Sequence, residues 1–135
     1  MTLFLFAQSP GEFQRQGEAA FRESRFGESV AAFDRVIGML PDQAPHHWQR
    51  GISLYYAGRF ADCKAQFELH RTVNPEDFEN AAWHMLCAAR IEGFAAAQKN
   101  LIPIRQDGRV PMAELHALWR GGRGCGIRGG RRSVR

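Results

Sequence analysis

Four pairs of residues recur at a single offset: Gly17 and Gly51, Phe26 and Phe60, Phe33 and Phe67, and Pro41 and Pro75 each lie 34 positions apart. A period of that length belongs to a helix-turn-helix unit that buries its apolar face only by stacking on the next copy. The spacing therefore predicts an all-α chain, an α-α superhelix of two full helix pairs, a degenerate third and a short C-terminal capping helix. Stacks of this kind present an extended surface, so the function class they suggest is binding to a partner.

Local signals place the helices. Ser9, Pro10 and Glu12 have the spacing of a capping box, in which the Ser hydroxyl accepts a free backbone N–H, Pro fits the first helical position and Glu reaches back to the cap. A first helix is expected to about Glu23. After a turn at Ser24–Arg25, a second runs from about Gly27 to Leu40, with Val30, Phe33, Val36, Ile37 and Leu40 at helical spacing, and Pro41 ends it. The second unit is expected to open at Pro45, to turn at Gly58 and to continue from about Ala61 to Val73, where Asn74–Pro75 stops it. Its Phe60, Cys63, Phe67 and His70 should face the unit's first helix.

Gly17 and Gly51 have a mechanical part in this scheme, since the lack of a Cβ lets the two helices of a unit approach closely. Phe33 and Phe67 are the matching structural aromatics. In the third unit Met85 stands where the period calls for glycine, Phe94 and Leu101 keep the beat, Glu92–Gly93 is the turn, and Pro103 is expected to cut the second helix short. Pro111 should start a helix that ends the stack, with residues 110–119 as its cap. The domain organisation is thus an N-terminal extension over residues 1–8, a repeat domain over 9–119 and a Gly/Arg-rich tail over 120–135.

Charge is distributed unevenly along the 135 residues. Before Arg120 the chain holds 12 Lys or Arg and 14 Asp or Glu, whereas residues 120–135 hold six Arg and no acid. The formal charge of +4 thus arises from a basic tail on a faintly acidic body. With 44% hydrophobic residues the body can fill one modest core. Cys63, Cys87 and Cys125 are odd in number and lack CxxC spacing, so neither a disulfide framework nor a zinc knuckle is indicated, and Cys63 and Cys87 read as core thiols. The start, MTLFLFAQS, has an apolar run too short for a signal peptide or a membrane span. The chain as it stands reads as cytoplasmic, and as periplasmic or plastid-luminal if a targeting segment precedes it.

Gly51, Tyr55, Phe60, Cys63, Phe67 and Pro75, with Gly17, Phe21, Phe26, Ser29, Phe33 and Pro41 in the preceding unit, resemble the tetratricopeptide repeat over about residues 10–105. The stretch WQRGISLYYAGRF is similar to the short NlpI-like tetratricopeptide family, without the lipobox cysteine of a lipoprotein. The resemblance implies a non-catalytic adaptor or scaffold that docks a protein or peptide, with the first helix of each unit lining a concave groove. Carried onto this chain, the groove positions are Gln14, Glu18, Phe21 and Arg22, then Trp48, Ile52, Tyr55 and Tyr56, then Ala82, Leu86, Ala89 and Arg90. Trp48, Ile52 and Tyr55 form an i, i+4, i+7 stripe. Flanked by Arg22 and Arg90, it suits an extended or helical peptide with an acidic group, unless neighbouring repeats bury it. The Lys/Asn/Arg clamp that holds chaperone tails is missing, since Gln14, Trp48, Glu18 and Ile52 occupy its positions. Arg50 stands where the family usually buries Leu. It is expected to find Asp34 or helix-terminal carbonyls, because an unpaired buried charge is costly.

Other chemistries find less support. His84 and Cys87 share a helix face, but no second pair completes a zinc set, so no metal site is expected. No nucleophile–base motif or phosphate loop points to an enzyme, and no cofactor is implied. The tail WRGGRGCGIRGGRRSVR contains two RGG triplets and gives the rival reading, an RNA-associated protein that binds through its basic tail. It lacks interleaved aromatics after Trp119, and its composition is also what GC-rich codons give when read out of frame. The tail is expected to be disordered. Self-association is compatible with either reading.

Overall fold

The computed structural model describes residues 8–122. Among them every regular element is a helix: α1 (Pro10–Arg22), α2 (Phe26–Met39), a 3-10 helix (Pro41–His46), α3 (Trp48–Tyr56), α4 (Phe60–His70), α5 (Phe78–Glu92), α6 (Phe94–Lys99) and α7 (Met112–Trp119). Each of α1 to α6 packs on its neighbours in sequence, and α7 returns to α5. The described fold is therefore all-α, built of successive helix pairs. The tail beyond Gly122 and residues 1–7 of the extension lie outside the described residues, and with them the expectation of a disordered tail.

The capping box forms: the Ser9 backbone N–H donates to Glu12 Oε2 at 2.6 Å, and the Glu12 N–H donates to Ser9 Oγ at 3.3 Å. The Ser9 backbone N–H holds the Glu12 carboxyl below its ordinary value. The turns α1–α2 and α3–α4 repeat each other bond for bond. Arg25 N donates to the Ala20 carbonyl at 2.8 Å, and Arg59 N, 34 residues on, donates to the Leu54 carbonyl at 2.9 Å. This is the six-to-one bond of a helix end with a left-handed residue. That residue is Gly58 in the second turn, at φ 78°, and Ser24 in the first, at φ 59°.

Gly17 and Gly51 sit where the pairs close. A Cβ on Gly17 would lie 2.8 Å from the Phe33 ring, and one on Gly51 would lie 2.7 Å from the Phe67 ring. Both rings are almost fully buried. Ser29 Oγ donates to the Gly17 carbonyl at 3.0 Å and accepts from Ser53 Oγ at 3.0 Å, so small residues continue the close approach from one pair to the next. Val30, Leu54, Cys63, Phe67 and Cys87 form the central core cluster.

The structure departs from expectation in three places. Pro45 does not open α3; it lies within the 3-10 helix, and α3 begins at Trp48. The bonds made there are of the tighter three-residue kind, Gln43 N to the Leu40 carbonyl at 3.0 Å and His47 N to the Ala44 carbonyl at 3.4 Å. Second, α6 stops at Lys99, four residues before Pro103, where Asn100 N bonds back to the Ala96 and Ala97 carbonyls at 3.2 Å. Third, Cys63 and Cys87 are not separate thiols. They are joined as a disulfide, with Cα atoms 5.9 Å apart, that ties α4 to α5. Cys63 faces the next unit as well as its own, and a separation of 24 residues gives no hint of that opposition in the sequence.

A strap over residues 100–111 crosses to the start of α5. Glu76 accepts the backbone N–H groups of Arg105 at 2.7 Å and Gln106 at 3.2 Å, and Asp107 Oδ2 accepts that of Phe78 at 3.1 Å. α7 then lies against α5, with Phe78 edge-on to His116 and Trp119. His116 Nε2 is 3.0 Å from the Ile102 carbonyl, and Trp119 covers the second core cluster of Met85, Ala88 and Ala97.

Candidate functional site

Helical spacing brings the predicted groove residues onto the side of the stack formed by α1, α3 and α5, and there they join through ring contacts. Phe21 meets Trp48 edge-on at 6.1 Å, Tyr56 stacks on Phe26 at 4.7 Å, and Tyr55 packs edge-on against Tyr56 and Phe60. The rings remain in contact with solvent: Trp48 is 45% exposed and Tyr56 58%. Tyr55 and Ile52 are half-buried and rest on the central core. The stripe is thus an open surface whose roots are in the core.

The charged members are held differently. Glu18 accepts from Gln14 Nε2 at 2.7 Å. The Arg90 guanidinium lies over the Phe60 ring at 4.3 Å and near the Tyr55 ring at 5.9 Å, a cation–π placement that orders the side chain without neutralising it. Among the described residues neither Arg22 nor Arg90 forms an ion pair. Ala82, Leu86 and Ala89 are half-buried along α5. Arg50 belongs to the framework: its Nε donates to Asp34 Oδ1 at 2.7 Å and its NH1 to Gln66 Oε1 at 2.9 Å, while Gln66 Nε2 donates to the Ala44 carbonyl at 2.8 Å. Beside it, burial pushes the His47 imidazole below its ordinary value.

Sequence reasoning missed Trp83, the ring that links the stripe to the core. It lies edge-on to Tyr55 at 5.7 Å and to Tyr56 at 6.2 Å, and stacks on Phe67 at 6.2 Å. It sits one position after Ala82, off the groove register, and its signal was being the one Trp of α5. Between α3 and α5, the rings of Trp48 and Trp83 and the Ile52 side chain wall a cavity of about 580 Å³ whose lining also includes Asp77, Glu79 and Asn80.

Arg109 bridges the acids at this end. Its guanidinium reaches Asp77 at 2.6 Å, Asp107 at 2.6 Å and Glu79 at 3.1 Å. The Arg109 side chain holds the Asp107 carboxyl far below the usual carboxylate range, and Asp107 in turn raises the Arg109 guanidinium. Hydrogen bonds from the strap, that of Arg105 first, lower Glu76.

His84 and Cys87 do not form a site together. Cys87 is bonded to Cys63, and His84 Nε2 lies 3.1 Å from Glu68 Oε1. Among the described residues no group of three or more His, Cys, Asp or Glu is placed to hold a metal ion, and no helix is long and apolar enough to cross a membrane.

The fold and this face together define an all-α stack of helix pairs with an open aromatic surface. Comparison with protein-family models, with curated proteins and with solved structures found no match to this chain.

Proposed function

We propose that the chain is a non-catalytic adaptor of tetratricopeptide type that binds a protein or peptide on the face of α1, α3 and α5. The observation that carries this reading is the solvent contact of Trp48 and Tyr56 within a connected set of rings bordered by Arg22 and Arg90, neither of them ion-paired among the described residues. Large amphipathic rings anchored in a rigid scaffold are what interface hot spots are made of. Arg90 is already ordered on Phe60, so it meets an acidic group on the partner with little further loss of freedom. The buried Cys63–Cys87 disulfide favours an oxidising compartment, the periplasm or a lumen, over the cytoplasm.

The test uses a random linear peptide library displayed against the intact chain and against a chain lacking residues 120–135. The adaptor reading expects the same enriched peptides from both, with binding weakened by substitutions at Trp48 or Arg90. Enrichment that disappears with the tail, together with retention of single-stranded RNA by the intact chain alone, would transfer the binding activity to the tail.

A further inference from the structure

The 34-residue period leaves one position of the stack uncovered. Ser53 and Cys87 are the same position in the second and third pairs. Both are fully buried, and the preceding pair meets each of them, Ser53 through the Ser29 hydroxyl and Cys87 through the bond to Cys63. Ala19 is that position in the first pair. No helix precedes α1 among the described residues, and Ala19 is only half-buried. Here a groove of about 600 Å³ opens between α1 and α2, with Gln8, Phe13, Ala19 and Ala31 among its lining. The charged side chains at its edge are engaged already: Arg25 pairs with Glu23 and Glu28, and the Arg35 guanidinium lies over the Phe13 ring at 5.1 Å. The groove therefore suits an apolar, uncharged occupant.

The chain supplies one at this spot. Because Gln8 lines the groove, residues 1–7, which lie outside the described residues, join the fold at its edge. Their sequence, MTLFLFA, is apolar at every position but Thr2 and has no charged side chain. Fully extended, such a segment spans about 23 Å. The 13 residues of α1 rise about 20 Å, so the segment is long enough to run back along the helix as far as Ala19.

We propose that residues 1–7 are the occupant: they lie in the groove between α1 and α2 of their own chain and cover Ala19 in place of a preceding pair. The end unit of a stack needs such a cover, because each pair buries its face only against a neighbour. Leu3, Phe4, Leu5 and Phe6 leave water in the same step. None of the lining residues belongs to the α1/α3/α5 binding face, so the cover leaves that face open.

The test places a nitroxide on Thr2→Cys in a chain that also carries Cys125→Ser, with the alanine methyl groups ¹³C-labelled. The label should broaden the Ala19 and Ala31 signals strongly and spare Ala44, whose neighbours Gln43 and His46 line a different pocket beside Pro10. Equal broadening of Ala44, or none at Ala19, would overturn the proposal. Mixing the nitroxide chain, without ¹³C, with a ¹³C-labelled chain that has no nitroxide should leave Ala19 sharp. Broadening in that mixture would give the groove to a second copy and overturn the assignment to the chain's own segment. Deleting residues 1–7 should lower the thermal midpoint by about 4 °C or more. Ala31→Glu, at an exposed position, should produce a similar fall in the full chain and almost none in the shortened one, since the two changes remove the same contact. An unchanged midpoint on deletion, or an equal effect of Ala31→Glu in both chains, would refute the cover.

Discussion

In the α1/α2 and α3/α4 pairs a glycine of the first helix faces a phenylalanine of the second, Gly17 against Phe33 and Gly51 against Phe67. In the α5/α6 pair the large buried residue, Met85, is on the first helix, and it clusters with Ala88 and with the small Ala97 of a second helix only six residues long. The large buried side chain thus comes from the first helix of the third pair and from the second helix of the other two. The difference teaches that the period specifies a packed interface and not a particular residue at each position. In the third unit Leu101 falls beyond the short α6 yet still packs on this cluster, and Trp119 of α7 adds cover from outside the repeat.

The comparison breaks most visibly at the aromatic positions. Phe67→Ala should cost about 3–5 kcal/mol, because it empties a fully buried site against Gly51. Phe94, the counterpart of Phe60 in the third unit, is 63% exposed, and Phe94→Ala should cost less than about 0.5 kcal/mol. Urea unfolding of the two variants measures both. Comparable losses would mean that Phe94 is packed as tightly as Phe67 and not exposed.

The bond between the second and third pairs gives the next effect. The Cys63–Cys87 disulfide closes a loop of 24 residues, and its reduction should lower stability by about 3 kcal/mol. Thiol labelling of the unreduced, denatured protein should then find one cysteine, with Cys125 as the remaining thiol, and three after reduction. Three thiols before reduction would show that the pairs are held by packing alone.

The close approach itself is tested by Gly51→Leu, which should cost about 2–3 kcal/mol by forcing the Phe67 ring aside. Unchanged stability would separate the period from the packing to which it is assigned. Ser24→Gly is the smallest change. It removes a side chain from a left-handed position that Gly58 fills in the next turn, and it should stabilise by about 0.5–1 kcal/mol, read as a small rise in the urea midpoint.

Much of this architecture was legible because local chemistry and repeat agree. Ser9–Pro10–Glu12 announces α1, the Gly58 turn closes α3, and the glycine–phenylalanine pairs place the contacts. Pro45 misled because proline is compatible with the start of an α-helix and with a 3-10 turn alike. The Cys63–Cys87 bond was not legible because it depends on how α4 and α5 face each other across units, which a period along one chain does not encode. The candidate face was half legible. The register on α3 gave Trp48, Ile52 and Tyr55, but Trp83 lies off that register on α5, and the acids gathered by Arg109 depend on the path of the strap across thirty residues of sequence.

The central claim is that the α1/α3/α5 face binds a partner through its exposed rings, and Trp48 is its most direct test. Because Trp48 is nearly half exposed, Trp48→Ala should leave the helical circular dichroism and the thermal midpoint close to those of the intact chain. Fluorescence anisotropy of a library-selected peptide should then show binding weakened by at least about 30-fold, the equivalent of about 2 kcal/mol at a central aromatic. A folded Trp48→Ala chain that keeps full affinity for that peptide would contradict the account.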